Sequence, residues 1–142
     1  MPSFNAKLNN MKGVVNVEIK VIDGSFSVCK VADFSEVDTS KKFNFVSATD
    51  EENSLICLTE NVPNNVTKRV DGWRALRIQG VLDFSLIGIL SKILGLLAEA
   101  QIGIAAVSTF NTDYIFVKNS DLEIAVDVLA EANYKIIRKG EA

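Results

Sequence analysis

Residues 73–117 read WRALRIQGVLDFSLIGILSKILGLLAEAQIGIAAVSTFNTDYIFV, and their periodicity predicts a strand, a long helix and two further strands. The alternation from Trp73 to Gly80 is typical of a strand, whereas the Leu-rich, proline-free run Ser85–Ala100 has the length of a helix. The β-branched residues of Ile102–Thr109 and the run Tyr114–Val117 then indicate two strands.

A second helix and a closing strand complete this half of the chain. Ser120 and Glu123 have the S-x-x-E spacing of a capping box, which predicts a helix from Ser120 to about Asn133. Tyr134–Ile137 follows as a last strand. The predicted order is β-α-β-β-α-β, which is that of the ferredoxin-like unit.

The first half of the chain carries weaker signals of the same order. Val14–Val21 and Phe26–Val31 alternate on either side of Asp23-Gly24, which predicts a β-hairpin. Two more strands and a T-x-x-E helical turn between them are predicted at Phe43–Val46, Leu55–Leu58 and Thr49–Glu52.

A faint internal repeat links the two halves. Phe45–Asp50 parallels Ala106–Asn111, since both are strand ends followed by a turn and another strand, and two units of roughly 65–70 residues would fill the chain. We therefore expect an α+β fold with two ferredoxin-like units in tandem, the first degraded, with antiparallel sheets and helices on one face. The expected boundaries are a flexible N-terminal segment at 1–13, a first unit at 14–66 and a second at 67–142.

Composition excludes several classes of function. The 142 residues include 15 Lys and Arg, 18 Asp and Glu and no His, so the net charge is −3, and 48% of them are hydrophobic. High apolar content at low net charge excludes a disordered chain, and an acidic balance argues against a nucleic-acid partner. Without histidine there is no Ser–His or Cys–His dyad and no His-ligated zinc. We expect no metal and no cofactor.

The cysteines and the apolar runs indicate a cytoplasmic protein with no membrane partner. Cys29 and Cys57 lie in apolar runs without CxxC spacing, which favours buried free thiols in a reducing compartment. Residues 1–13 are polar and do not form a secretory signal. The longest apolar run, Phe84–Ala98, is interrupted by Lys92 and is shorter than the ~20 residues of a membrane span.

The predicted long helix is apolar around most of its circumference. Apart from Ser91, its polar residues and its glycines fall on one narrow stripe formed by Ser85, Gly88, Lys92, Gly95 and Glu99. An arc this wide must be covered by the second helix, by the other half of the chain or by another subunit. The two glycines permit tight packing within one chain, a contact between subunits, or a ligand approaching Gly88.

Four segments of this half, taken in order, carry a resemblance to a known family: Arg77–Gly80, Phe84–Leu90, Leu97–Ala100 and Val107–Tyr114. They resemble the ACT-domain family, specifically the small two-ACT proteins related to aspartate-kinase regulatory domains and to the cytosolic arginine sensors of animal cells. The resemblance covers about residues 73–134, with a weaker match back to about residue 14.

The resemblance implies regulation and not catalysis. ACT domains bind amino acids at interfaces between paired domains, and the ligand shifts assembly or the activity of a partner, so a homodimer and a small-molecule amino acid are the expected partners. The implied ligand-binding residues are Asp83, Phe84, Ser85 and Gly88 in the strand-to-helix connection and Ser108, Thr109, Phe110, Asn111, Thr112 and Asp113 in the turn between strands.

The residue types fit a zwitterionic ligand. A helix that begins near Ser85 presents unpaired N–H groups, which suit an α-carboxylate, and Asp113 offers the opposite charge for an ammonium or guanidinium group. Phe110 can lie against an aliphatic chain. Alternatively, Asn111 and Asp113 only stabilise the turn, and Asp83 caps the helix and so occupies the N–H groups that a ligand needs.

Three functions remain for this sequence. The first is an amino-acid-binding regulatory protein. The second is a structural or adaptor subunit that keeps the fold without the ligand. Asp83 and Ile87 favour it, because the family pattern usually has proline or a neutral residue near Asp83 and commonly a threonine in place of Ile87. An enzyme that uses Asp83 or Asp113 as a general base is the weakest, since neither carboxylate has a second catalytic group beside it.

Overall fold

The computed structural model describes residues 17–79 and 87–139. Within these ranges eight strands form one sheet, and two α-helices accompany it in a mixed α+β fold. In chain order the elements are β1 (Glu18–Val21), β2 (Phe26–Val31), β3 (Phe45–Ala48), β4 (Asn53–Leu58), a 3₁₀ turn (Thr59–Asn61), β5 (Val66–Gln79), α1 (Ile87–Glu99), β6 (Ile104–Ser108), β7 (Asp113–Lys118), a 3₁₀ turn (Asn119–Asp121), α2 (Leu122–Glu131) and β8 (Lys135–Ile137).

Strand β5, 14 residues long, joins the two halves of the sheet. Its first part pairs with β2, and β4 and β3 extend the sheet from there. Its second part pairs with β1 on the same edge, where β8 follows, and with β7 on the opposite edge, where β6 follows. The elements from β5 to β8 thus have the order β-α-β-β-α-β that the sequence predicts.

The predicted hairpin at Asp23-Gly24 is wrong. Strands β1 and β2 do not pair with each other; they lie end to end along one edge of β5, with Val21 opposite Leu76 and Phe26 opposite Trp73. Gly24, at φ +98°, bends the chain between them without reversing it. A single strand as long as β5 offers an edge for both, which local turn chemistry does not reveal.

The expectation of purely antiparallel sheets is also wrong, because β8 runs parallel to β1. Strand β1 is inserted between β5 and β8, with Ile19 opposite both Ile78 and Ile136. The sheet is therefore mixed, and the insertion is the cause.

Neither of the two predicted capping boxes caps a helix in the structure. The backbone N–H of Thr49 donates to the carbonyl oxygen of Glu52 at 2.9 Å, and the Thr49 hydroxyl accepts from two backbone N–H groups of the same turn, so the segment is the β3–β4 hairpin and not a helical turn. The N-terminus of α2 has no side-chain cap. Glu123 instead accepts two hydrogen bonds from Arg138, at 2.9 and 3.0 Å, which lower the pKa of this carboxyl.

Both described helices pack on the same face of the sheet, as expected. Ile93 and Leu97 of α1 are fully buried there, and so is Leu129 of α2. The strands contribute alternate residues to this helix-side core, namely Ile19, Val21, Leu76, Ile78, Ile115 and Val117. The wide apolar arc of α1 is thus partly covered within the chain.

An aromatic cluster fills the opposite face of the sheet. Its fully buried members are Phe26 and Phe116, whose ring centroids are 5.4 Å apart. Phe43 and Phe45 pack edge-on against Tyr114, at 6.4 and 4.9 Å between centroids, so the first half of the sheet folds over the second. The remaining apolar contacts come from Ile22, Ile56, Leu58, Trp73, Ala75, Ala105 and Val107.

A third apolar cluster lies in the first half, where loops replace helices. It consists of Cys29, Val31, Leu55 and Cys57, covered by Phe34, Val37, Val62 and Val66. Both cysteines are buried free thiols, as the sequence predicts.

The two described helices end in the same way, with a side-chain-bearing residue in the left-handed region. Gln101 (φ 62°) donates its N–H to the Ala98 carbonyl at 2.9 Å, and the next N–H, of Ile102, reaches the Leu97 carbonyl at 3.0 Å. This is a Schellman motif, whose left-handed position favours glycine. Asn133 (φ 73°) has the same place after α2.

We expect Gln101→Gly to raise the free energy of unfolding by about 0.5–1 kcal/mol, because glycine removes the left-handed strain and gives back part of the gain as chain entropy in the unfolded state. Urea denaturation measures this change. Asn133→Gly is the matched control, with a smaller gain because asparagine tolerates this conformation. If the Gln101→Gly variant is no more stable than the wild type, Gln101 does not occupy the strained left-handed position of a Schellman motif.

Candidate ligand-binding site

The turn between β6 and β7 is closed by its own threonines. The Thr109 N–H donates to the Thr112 carbonyl at 2.7 Å, and the Thr109 hydroxyl both donates to that carbonyl and accepts from the Thr112 N–H. These bonds give Thr109 a structural role in the turn. Between them, Asn111 is exposed and Phe110 is 104% exposed, so Phe110 meets a ligand only where a second body covers the turn.

A hydrogen bond attaches this turn to the end of β5. The Thr112 hydroxyl donates to the Ile78 carbonyl oxygen at 2.5 Å, and Arg77 pairs with Tyr114 in the adjoining strands. The turn therefore lies beside Gln79, from which residues 80–86 lead towards α1. In the sequence, the strand-to-helix part of the predicted site follows shortly after Gln79.

Asp113 is the buried carboxylate of this region. Only 5% of the residue is exposed, and by strand alternation it shares the helix side of the sheet with Ile115. Its Oδ1 accepts a hydrogen bond from the Ser108 hydroxyl. Within residues 17–79 and 87–139, the carboxylate forms no ion pair and no other side-chain hydrogen bond. A buried carboxylate without a countercharge is costly, which makes Asp113 a candidate partner for a cation.

The remaining sequence-predicted residues are not all within the described part of the chain. Gly88 lies in α1. Asp83, Phe84 and Ser85 fall outside the described residues, as does the predicted start of the helix at Ser85. The structure thus brings Ser108, Thr112 and Asp113 together beside the end of β5.

A polar group on the other face of the sheet was not predicted as a site. Arg77 donates from Nε and Nη2 to the amide oxygen of Gln79, at 3.0 and 2.8 Å, and from Nη1 to the Tyr114 hydroxyl at 3.2 Å. Lys20 lies directly across from Arg77 in β1. In the sequence, Arg77 alternates with the apolar residues Leu76 and Ile78. This alternation predicts a strand but does not predict a binding site.

Residues 68–131 match the family model of the ACT domain. The chain contains an ACT domain over this range. The matched range runs from the first part of β5 to the end of α2 and so includes the β6–β7 turn with Asp113.

Solved structures similar to this chain include one that is described as a regulatory domain. A protein from Agobacterium tumefaciens has 29% identity and a TM-score of 0.78, with 89% of this chain and 96% of that chain covered. The aspartate kinase of Clostridium acetobutylicum, described as an allosteric enzyme, has 16% identity and a TM-score of 0.57, with 82% of this chain and 34% of that chain covered. A domain described as the C-terminal regulatory domain of a Porphyromonas gingivalis aspartate kinase has 13% identity and a TM-score of 0.53, with 83% and 96% covered.

At these identities, the two aspartate-kinase structures show a shared fold. No curated protein matches the chain. Neither of the described helices is long and apolar enough to cross a membrane.

Proposed function

We propose that this ACT-domain protein is a regulatory protein that binds a free amino acid beside Asp113 and catalyses no reaction. The observation that carries the proposal is the burial of the Asp113 carboxylate, whose side-chain partner among residues 17–79 and 87–139 is the neutral Ser108 hydroxyl. An ammonium or guanidinium group of a ligand supplies a countercharge and offsets the cost of burying the carboxylate. The regulatory domain among the structures of similar fold supports the same role.

The binding site for the α-carboxylate of the ligand is assigned from the sequence. We propose that the α-carboxylate binds at Asp83, Phe84, Ser85 and Gly88, because backbone N–H groups at the start of a helix favour an anion. The attachment of the β6–β7 turn to Ile78 supports it, since this contact holds Asp113 close to the strand that leads into that segment.

The strand order supports two ferredoxin-like units in tandem. In the second half β8 comes first in space, followed by β5, β7 and β6, with β1 inserted after β8; in the first half the order is β5, β2, β4 and β3. In the first half the fourth strand (β5) lies beside the first (β2), whereas in the second half β1 separates the fourth strand (β8) from the first (β5). In both halves the third strand and then the second follow the first. The described part of the first half has no α-helix at the two positions where the second half has one. These positions are occupied by residues 32–44 and by the 3₁₀ turn Thr59–Asn61. In this proposal the units 14–66 and 67–142 meet at β5.

The same proposal includes a homodimer in the cytoplasm. On α1 the small residues Ser91, Gly95 and Ala98 are exposed, and a Cβ built on Gly95 has nothing within 4 Å, so a second chain can approach there closely. The free thiols of Cys29 and Cys57 are compatible with a reducing compartment. Light scattering that finds only monomer at micromolar concentration contradicts the dimer.

We expect one of the twenty amino acids to raise the melting temperature of the wild type in a thermal-shift screen. A ligand that binds only the native state at 100 times its Kd adds about 2.7 kcal/mol to stability, an effect that such a screen detects easily. Asp113→Asn keeps the shape of the side chain and the hydrogen bond from Ser108 but removes the charge. This variant should lose the ligand-induced shift while its own melting temperature stays equal to that of the wild type or higher.

Asp127→Asn is the matched control, because it removes an equal charge from an exposed position of α2. This variant should keep the full ligand shift. If Asp113→Asn also keeps it, Asp113 is not in the site. If no amino acid moves the midpoint at millimolar concentration, the sensor proposal fails and the adaptor function stands. The complete exposure of Phe110 at the tip of the β6–β7 turn favours that alternative, since exposed aromatic side chains are common anchors in protein contacts.

A further inference from the structure

Two cations lie side by side on the sheet face opposite the helices. Lys20 of β1 is directly across from Arg77 of β5, and such cross-strand partners have Cβ atoms about 4.5–5.5 Å apart. Both residues are half-buried. Within residues 17–79 and 87–139 neither forms an ion pair, and the nearby carboxylate of Glu18 lies 3.9 Å from Lys135 instead. Like charges in this position destabilise a sheet, so the pair needs an explanation.

The guanidinium of Arg77 is held in place by neutral groups. Nε and Nη2 share the amide oxygen of Gln79, while Nη1 donates to the hydroxyl of Tyr114. Because the Tyr114 oxygen accepts this bond, its own hydrogen is available to donate. Guanidinium carries five N–H donors, and three of its N–H groups are used here. Lys20, Arg77 and Tyr114 are cross-strand neighbours on one face of three adjacent strands, so together they form a patch that offers donors and positive charge.

The patch is bordered by the aromatic cluster. Tyr114 packs against Phe45 at 4.9 Å and Phe43 at 6.4 Å between ring centroids, and both phenylalanines are themselves half-buried. A molecule that sits on Arg77 and Lys20 therefore has an apolar wall on one side. The protein as a whole carries a net charge of −3, so this local excess of positive charge is not a general property of its surface.

We propose that Lys20, Arg77 and Tyr114 form a binding site for an oxyanion, a carboxylate or a phosphate, carried on an aromatic or apolar group. The site goes beyond the amino-acid site proposed above. Asp113 and Tyr114 are consecutive in β7, so strand alternation places them on opposite faces of the sheet, and the two sites are separate. The oxyanion accepts from the guanidinium, the ammonium and the phenol, and its apolar part packs against Phe43 and Phe45.

Isothermal titration of the full chain with three matched probes tests the site. Phenyl phosphate and benzoate carry the anion on an aromatic ring, and benzamide is their neutral counterpart. We expect phenyl phosphate or benzoate to bind at millimolar concentration or below and benzamide not to bind. The tighter of the two anions identifies phosphate or carboxylate as the natural group. Added salt should weaken the binding, because charge contributes to it.

Substitutions assign the binding to the named residues. Arg77→Gln should raise the Kd for the bound anion about tenfold or more, since charge-assisted hydrogen bonds are lost. Lys20→Gln should raise it about three- to tenfold, because lysine acts as a flexible point charge. The control is Lys30→Gln: Lys30 and Lys68 form another like-charged cross-strand pair, but both are exposed, so this variant should leave the Kd unchanged.

Three outcomes overturn the proposal: no binding of either anion, equal binding of benzamide, or equal binding by wild type and Arg77→Gln. Asp113→Asn should keep its affinity for the anion, which separates a failure here from a failure of the amino-acid site. A second measurement needs no ligand. Because Lys20→Gln relieves the repulsion, it should raise the melting temperature of the free protein by about 2 °C even as it weakens anion binding. A lower melting temperature would show that Lys20 stabilises the fold by itself.

Discussion

Phe116→Ala is expected to lower the free energy of unfolding by about 3–5 kcal/mol, the usual range for a phenylalanine removed from a core. Phe116 is 0% exposed, and its ring meets Phe26 and Phe45 at 5.4 and 5.5 Å between centroids. Both partners belong to the first half of the sheet, whereas Phe116 belongs to the second. The substitution therefore opens a cavity where the two halves meet, and urea denaturation measures the loss.

Phe110→Ala is the matched control, because the same atoms are removed from a side chain that is 104% exposed. Its effect should stay within about 0.5 kcal/mol. Since the aromatic cluster joins the two halves, Phe116→Ala should shift one cooperative transition rather than split it. A loss below about 1 kcal/mol, or a transition in which only one half unfolds, contradicts the role of this cluster as the shared core.

The second half of the fold was predictable because its signals are local and strong. The helix at Ile87–Glu99 and the strands around it follow from apolar periodicity, and the run Ile115–Val117 is apolar at every position, which is typical of a strand buried on both faces. The position of β1 was not predictable, since its insertion between β5 and β8 depends on pairing with residues far along the chain.

Two wrong predictions, the T-x-x-E helical turn and the hairpin at Asp23-Gly24, both arose from the chemistry of turns. Thr49 accepts backbone N–H bonds as an N-cap does, but here these bonds close a hairpin, so the T-x-x-E pattern alone does not distinguish the two structures. Asp23-Gly24 is a strong hairpin signal, yet Gly24 bends one extended segment instead. In both places the local chemistry is as the sequence indicates, and the direction of the chain is decided by long-range pairing.

The two candidate sites also differ in how far the sequence alone indicates them. Asp113 was predictable from the ACT resemblance and from its place in a polar turn, although its burial was not. The patch of Lys20, Arg77 and Tyr114 comes from three strands whose register no local pattern reveals. Because Asp113 and Tyr114 are consecutive in β7, the two proposed sites lie on opposite faces of the same strand.

Native Cys57 is expected to react with iodoacetamide at pH 8 on the order of 10³-fold more slowly than the same thiol in the urea-unfolded chain. Burial, at 0% exposure, raises the pKa of Cys57 to about 12, and the thiolate is the reactive form. Burial also raises the pKa of Cys29. Mass spectrometry of alkylated peptides over time measures both rates. Ser120→Cys places a thiol at an exposed position of the 3₁₀ turn Asn119–Asp121 and should react about as fast as the thiols of the unfolded chain, which confirms that the reagent is active.

The same raised pKa makes stability depend on alkaline pH. The unfolded chain releases the thiol protons as the pH passes their ordinary range near 8.5, whereas the folded chain keeps the Cys57 proton up to a pH of about 12. The unfolded state then binds fewer protons than the native state, so the free energy of unfolding falls as the pH rises across this interval. Cys57→Ala removes this contribution, and its stability should fall less steeply with pH than that of the wild type. Equal slopes, or a native Cys57 alkylated as fast as the Ser120→Cys thiol, would show that the cluster around Cys29 and Cys57 opens readily to solvent.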